Sequence, residues 1–309
     1  RGVVALRVRR RRGSPPAQAR LILTAMSSTT LVVASACACA GLALAACLAS
    51  IDDGLIGQGA GDASDETDAR DAASLDANDA ACPSTMIQVP VPGDAGPPYC
   101  VDSTEVTITA YGAFLMNPPD ASSQIADCQW NTSFLPANWV DGSTSDLPVT
   151  EVDWCDAYAY CAWAGKRLCG AIGGGPVDPS GGVATAAEGQ WFNACSRGGT
   201  RTYPYGDTYD AAACVGGDAM STLTAPEPVG QAAGCVGGYD GLFDMSGNAE
   251  EFVDSCFGEK ICDGGHECEV CLLIGGGFHN DGEHLDCANL NQVTRKAQYD
   301  DTGIRCCSP

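Results

Sequence analysis

Nineteen cysteines in 309 residues constrain this chain more than any other feature. A reducing compartment gives little use for so many thiols unless they hold metal, so the count predicts export and a fold pinned by disulfides. Three of them, Cys37, Cys39 and Cys47, precede the acidic part of the chain, and sixteen follow from Cys82 onward. Sixteen is even and permits eight bridges, in a connectivity that spacing alone leaves open. The neighbours Cys306 and Cys307 are expected to take different distant partners, with a strained vicinal bridge as the alternative. Cys256, Cys262, His266, Cys268 and Cys271 include a CxxC pair that could enclose zinc, with disulfides the preferred use in an exported chain.

The N-terminal region supplies the export signal. Seven arginines (Arg1, Arg7, Arg9, Arg10, Arg11, Arg12, Arg20) and no acid precede position 47, and a small, apolar run from Leu31 to Cys47 follows them. That run has the length of a signal h-region and falls short of a membrane span. It ends in Leu44-Ala45-Ala46-Cys47, which resembles the lipobox of bacterial lipoproteins. The expectation is a signal peptide over 1–46, a lipid-bearing Cys47, and an acidic tether over 47–81. Residues 48–81 hold eight Asp and one Glu among Ala, Gly and Ser, too little apolar surface to offset chain entropy. Leu48 after the anchor, by resemblance to lipoprotein sorting, points to the cell envelope, and to the outer membrane where a host has two. Without 1–46 the chain keeps nine basic residues against 39 acidic, a charge of −30 that repels phosphate backbones and excludes nucleic acid as a partner.

The globular part, 82–309, alternates short helical signals with Gly-rich and Pro-rich irregular segments. A first helix is predicted from Ile108 to Leu115 behind Thr107 as N-cap. A second follows Asp153 and ends at Gly165. A third is predicted from the Thr185-Ala186-Ala187-Glu188 capping box to Gly198-Gly199. Short strands are predicted at Met86 to Pro90 and Glu105 to Thr107. The fold class is therefore α+β and irregular, with few short helices and strands.

Several blocks resemble the formylglycine-generating enzyme (sulfatase-modifying factor) superfamily, which includes ergothioneine-synthesis and pyoverdine-maturation relatives. They are Cys100-Val101-Asp102-Ser103-Thr104-Glu105-Val106-Thr107; Pro148 to Trp154 with Ala164 to Leu168; Glu188-Gly189-Gln190-Trp191 with Tyr203 to Asp207; Gly241-Leu242-Phe243-Asp244-Met245-Ser246-Gly247-Asn248-Ala249-Glu250-Glu251-Phe252; and Gly275-Gly276-Gly277-Phe278 with Gly303-Ile304-Arg305-Cys306. The resemblance implies a C-type-lectin-like domain. It also implies a site: two thiols, five positions apart, that hold copper(I) in the oxygen-dependent members. Their positions fall here on Asn280 and Leu285, so copper is not expected and no catalytic residue is carried over. The resemblance further places a structural calcium ion on Asp244, Gly247, Ala249 and Glu251, two carboxylates and two backbone carbonyls that suit a hard cation. His279 and His284 with Asp286 offer, from their types alone, a facial triad for non-haem iron.

Two functions of different class follow. The first is a non-catalytic binding or structural module, anchored to the membrane by lipid, with an exported peptide or protein as partner. The second is a superfamily oxidoreductase or maturation enzyme that uses a different metal site, of the non-haem iron type.

Overall fold

The computed structural model describes residues 82–308, apart from 141, 143, 218–224 and 262–266. The signal peptide, Cys47 and the tether lie outside the described residues. In chain order the elements are β1 (Met86–Val89), β2 (Tyr99–Asp102), α1 (Ile108–Met116), α2 (Trp154–Trp163), β3 (Arg167–Leu168), α3 (Gln190–Cys195), β4 (Glu250–Ile261), β5 (Glu267–Ile274), β6 (Leu290–Thr294), β7 (Thr302–Gly303) and β8 (Cys306–Ser308), with short 3-10 turns between them. Two four-stranded sheets form, in the orders β1-β2-β8-β3 and β6-β5-β4-β7, and β4 and β7 run parallel. No helix among the described residues is long and apolar enough to cross a membrane.

Local sequence explains the first two helices. The Thr107 side chain accepts the Ala110 N–H at 3.1 Å and so satisfies one of the free donors that open a helix. Asp153 and Asp156 form a reciprocal capping box at the start of α2, and Gly165, at φ 71°, follows its end. The third helix departs from expectation. The Thr185 hydroxyl turns back to the Gly181 carbonyl at 2.8 Å, residues 185–189 form a turn, and α3 starts only after Gly189. Arg197, Gly198 and Gly199 all have positive φ and prevent the helix from continuing. The strand expected at Glu105 to Thr107 is also absent: the Val106 N–H goes to Ile304 and its carbonyl accepts from Val149, so the segment joins two neighbours without forming a ladder with either.

The two sheets share a core that lies on both of their faces. Along β5, Cys271 and Leu273 pack with Tyr111, Phe114, Trp154 and Phe252, whereas Leu272 and Ile274 pack with Val101, Trp191, Leu242 and Met245. Successive strand residues point to opposite faces, so a strand covered on both sides reads as an unbroken apolar run. The same rule settles the vicinal cysteines. On β8, Cys306 faces the first cluster and bonds Cys161 of α2, and Cys307 faces the second and bonds Cys169. Further bridges join Cys82 to Cys100, Cys128 to Cys155, Cys195 to Cys287, Cys214 to Cys235 and Cys256 to Cys271. The last of these removes Cys256 and Cys271 from any zinc set; Cys262 and His266 lie outside the described residues.

The capping box of α2 buries two carboxyls. Asn131 donates to Asp156 Oδ1 at 2.8 Å and Gln298 to Oδ2 at 3.4 Å, which ties the helix start to two distant loops. Burial, with repulsion from Asp153, pushes the Asp156 carboxyl up to about 7, and burial pushes Asp153 up to about 6. A carboxyl that holds its proton more tightly when folded stabilises the fold most below its unfolded pKa, and that contribution is lost as pH rises through the folded value. The melting temperature is therefore expected to be higher at pH 5 than at pH 8. Asp156→Asn should flatten that slope in thermal scans; a slope unchanged in the variant would remove this pair as its cause.

Candidate functional site

The loop from Gly241 to Ala249, which leads into β4, turns through left-handed backbone at Asp244, Gly247 and Asn248. Gly247 has φ 77°, and a Cβ there would lie 2.2 Å from the Val215 carbonyl oxygen, so no other residue fits. The loop thereby aims Asn248 at three segments. Its N–H donates to Val215 O at 2.8 Å, its Oδ1 accepts the Glu227 N–H at 2.9 Å, and its Nδ2 donates to Glu105 Oε1 at 2.9 Å.

Beside the loop stands Arg305, with no solvent exposure. Its Nε donates to both oxygens of Glu251 at 2.9 Å, and its Nη2 lies 2.8 Å from Glu251 Oε1. Nη1 donates to the Asp102 carbonyl and Nη2 to the Phe243 carbonyl. Trp191 donates its indole N–H to Glu251 Oε2 at 2.6 Å. Glu105 Oε2 is 3.9 Å from Nη2 and has no hydrogen-bond partner. Asp102 pairs with Lys166 and accepts the Cys306 N–H through Oδ2. Burial drives the Glu105 carboxyl well up, with Asp244 adding to the rise and Arg305 opposing it. Burial likewise raises Asp244, against the pull of the Gly230 N–H that its Oδ2 accepts.

A second loop, 275–287, packs on the first. Gly277 N–H donates to Asn280 Oδ1 at 2.8 Å, the Gly217 N–H donates to the Asn280 carbonyl, and the Cys195–Cys287 bridge fastens the loop to α3. Leu285 is 2% exposed, and its methyls fill the space over Gly216 and Gly276. His279 reaches Asp300 at 3.2 Å, and His284 reaches Asp281 at 3.4 Å. Both histidines are about half exposed.

The profile of a family described as "Sulfatase-modifying factor enzyme 1-like domain" matches residues 63–308. The chain belongs to this family. The formylglycine-generating enzyme of Bos taurus is 34% identical over an alignment of 98 residues that covers 28% of this chain and 21% of that protein, so about a fifth of that relative's length is matched. Among solved structures, PvdO from Pseudomonas aeruginosa is 18% identical with a TM-score of 0.45, over 72% of this chain and 90% of that one. The crystal structure of CarF is 21% identical with a TM-score of 0.44, over 69% of this chain and 87% of that one. Treponema denticola variable protein 1 is 20% identical with a TM-score of 0.44, over 68% and 84%.

The sulfatase-modifying-factor-like domain places the expected site residues in three different states. Asn280 and Leu285 are where the sequence puts them, and they brace their loop: one closes a turn, the other fills a core gap. In the calcium set the two carboxylates are already engaged by the protein. Both Glu251 oxygens are taken up by Arg305 and Trp191, so a buried guanidinium stands against the carboxylate that a calcium ion would need, and Asp244 spends Oδ2 on Gly230. Gly247 and Ala249 are buried in the same loop. The iron triad is not assembled either. His279 and His284 turn to separate aspartates, and Asp286 Oδ1 accepts the Ala288 N–H. No group of three or more His, Cys, Asp or Glu side chains among the described residues is arranged to hold a metal ion.

Sequence reasoning missed the cluster that is present. Glu105, Trp191, Asn248 and Arg305 each sit in a different recognisable block or at a different place in one, and each is a polar group that an apolar core does not need. That shared oddity was the available signal. With Glu251 saturated by protein donors, the melting temperature is expected to be the same in millimolar calcium and in excess chelator. A rise in calcium would return Asp244 and Glu251 to the role of ligands, because binding to the native state alone raises stability by mass action.

Proposed function

We propose that this chain is an exported, lipid-anchored member of the family whose domain binds a partner and does not oxidise a cysteine. The observation that carries this reading is the chemistry at Asn280 and Leu285. Copper(I) is held by soft thiolates, and an amide and an isobutyl group supply none. Their roles within the loop reinforce the point, since Leu285 is packed in the core and Asn280 is bonded to the Gly277 N–H. Cys287, the nearest cysteine, is spent on Cys195.

A mass assay on a cysteine-containing sulfatase peptide, with copper and reductant supplied, is expected to show no conversion of thiol to aldehyde; turnover would overturn the reading. Membrane attachment rests on Leu44-Ala45-Ala46-Cys47 and the acidic spacer that follows it. A lipoprotein anchor with two or more acyl chains holds where a single chain does not. Incorporation of a fatty-acid analogue should disappear in Cys47→Ser, and unchanged labelling would remove the anchor.

A further inference from the structure

We propose that the cavity between the C-terminal ends of α1 and α2 is a docking site for a basic peptide segment that inserts one aromatic or large aliphatic side chain. This deepens the binding-module reading and rests on it. The cavity measures about 410 Å³ and is walled by Pro118, Pro119, Ile125, Tyr158, Ala162 and Trp163. That is the size and apolar character of a site that takes one anchoring group.

Its aromatic walls are fixed before anything binds. Trp163 packs edge-on against Phe114 at 5.5 Å and leans on Tyr160 at 5.9 Å, yet stays 40% exposed. Tyr158 stacks on Trp154 at 5.0 Å, and Arg295 covers that ring at 4.4 Å from its centroid. Rings held in place lose little freedom on binding, which favours association. Ile125 adds an apolar side chain that is 37% exposed.

The charge of the occupant follows from the electrostatics of the rim. Asn117, the C-cap of α1, and Ala162 and Trp163, in the last turn of α2, all line the cavity, so two helix C-termini present their negative ends to it. Asp120 adds an exposed carboxylate next to Pro119, held below the usual carboxylate range by the Ser122 N–H and hydroxyl. Asp127, one residue before Cys128 of the same wall, is paired with Arg295 at 3.8 Å and adds no net charge to the rim, which leaves Asp120 and the helix ends to set its sign. No Lys or Arg lines the cavity. Over 82–309 the chain has eight basic residues against thirty acidic, so a second copy or an anionic lipid surface would be repelled, whereas a cationic segment would be drawn in.

The test is calorimetric titration of the anchorless chain from residue 48 onward and of its Ala162→Arg variant, with circular dichroism confirming that the variant is folded. The probe is acetyl-Lys-Lys-Phe-Lys-Lys-amide; the controls replace Phe by Gly, or all Lys by Glu. The probe is expected to bind about tenfold more tightly than either control and to lose about tenfold in Ala162→Arg. No binding, or equal binding of the Gly control and no loss in Ala162→Arg, would overturn the proposal by leaving only diffuse attraction to an acidic surface. Concentration-dependent dimers that vanish in Ala162→Arg would also overturn it, by giving the face to a second copy. None of these outcomes bears on the sulfatase-peptide assay, so the two readings fail separately.

Discussion

The pairing of Arg305 with Glu251 is the interaction on which the rest of the domain depends. A guanidinium with no solvent exposure is tolerable only when its nitrogens find acceptors, and here each nitrogen has one among Glu251, the Asp102 carbonyl and the Phe243 carbonyl. Those partners come from β2, from the 241–249 loop and from β4, and Arg305 itself directly precedes β8. Satisfying one side chain therefore fixes the relative positions of both sheets and of the loop between them. Trp191 brings α3 to the same carboxylate. The left-handed turn at Gly247 and Asn248 is the backbone shape that allows the loop to meet them.

Around that centre the disulfides replace what regular structure does not provide. The strands of the first sheet run to two, three or four residues, too short to hold a sheet by their ladders alone. The Cys161–Cys306 and Cys169–Cys307 bridges tie β8 to α2 and to the segment after β3 across more than a hundred residues of chain. Closing loops of that length constrains the unfolded chain most. Irregular segments can then run over the surface; together with one face of α2 they build the cavity at the ends of α1 and α2, and they form the loop that bears Asn280 and Leu285.

Much of this was legible where the physics is local. The caps of α1 and α2 lie within three residues of the groups they satisfy, so Thr107 and Asp153 could be read directly. Thr185 carried the same pattern and failed, because its hydroxyl has a competing acceptor in the Gly181 carbonyl, which sequence cannot rank. The hairpin of β4 and β5 was hidden for two reasons. Register shifts in β4 break its alternation, and β5 is buried on both faces and so shows none. The different partners of Cys306 and Cys307 were foreseen, whereas the partners themselves depend on tertiary distance. The cluster at Arg305 was spread across blocks that sequence separates by two hundred residues, and a charge balance among distant groups leaves no local pattern.

The domain's organisation depends on the buried Arg305–Glu251 pair, and a double-mutant cycle tests that most directly. Denaturant unfolding would be followed for Arg305→Met, Glu251→Leu and the double variant. Each single change strands the other charge in the core and is expected to cost about 3–5 kcal/mol, while the double change should cost far less than their sum, because it removes both charges together. Costs that simply add, or singles near neutral, would show that the two side chains do not depend on each other and would contradict the account.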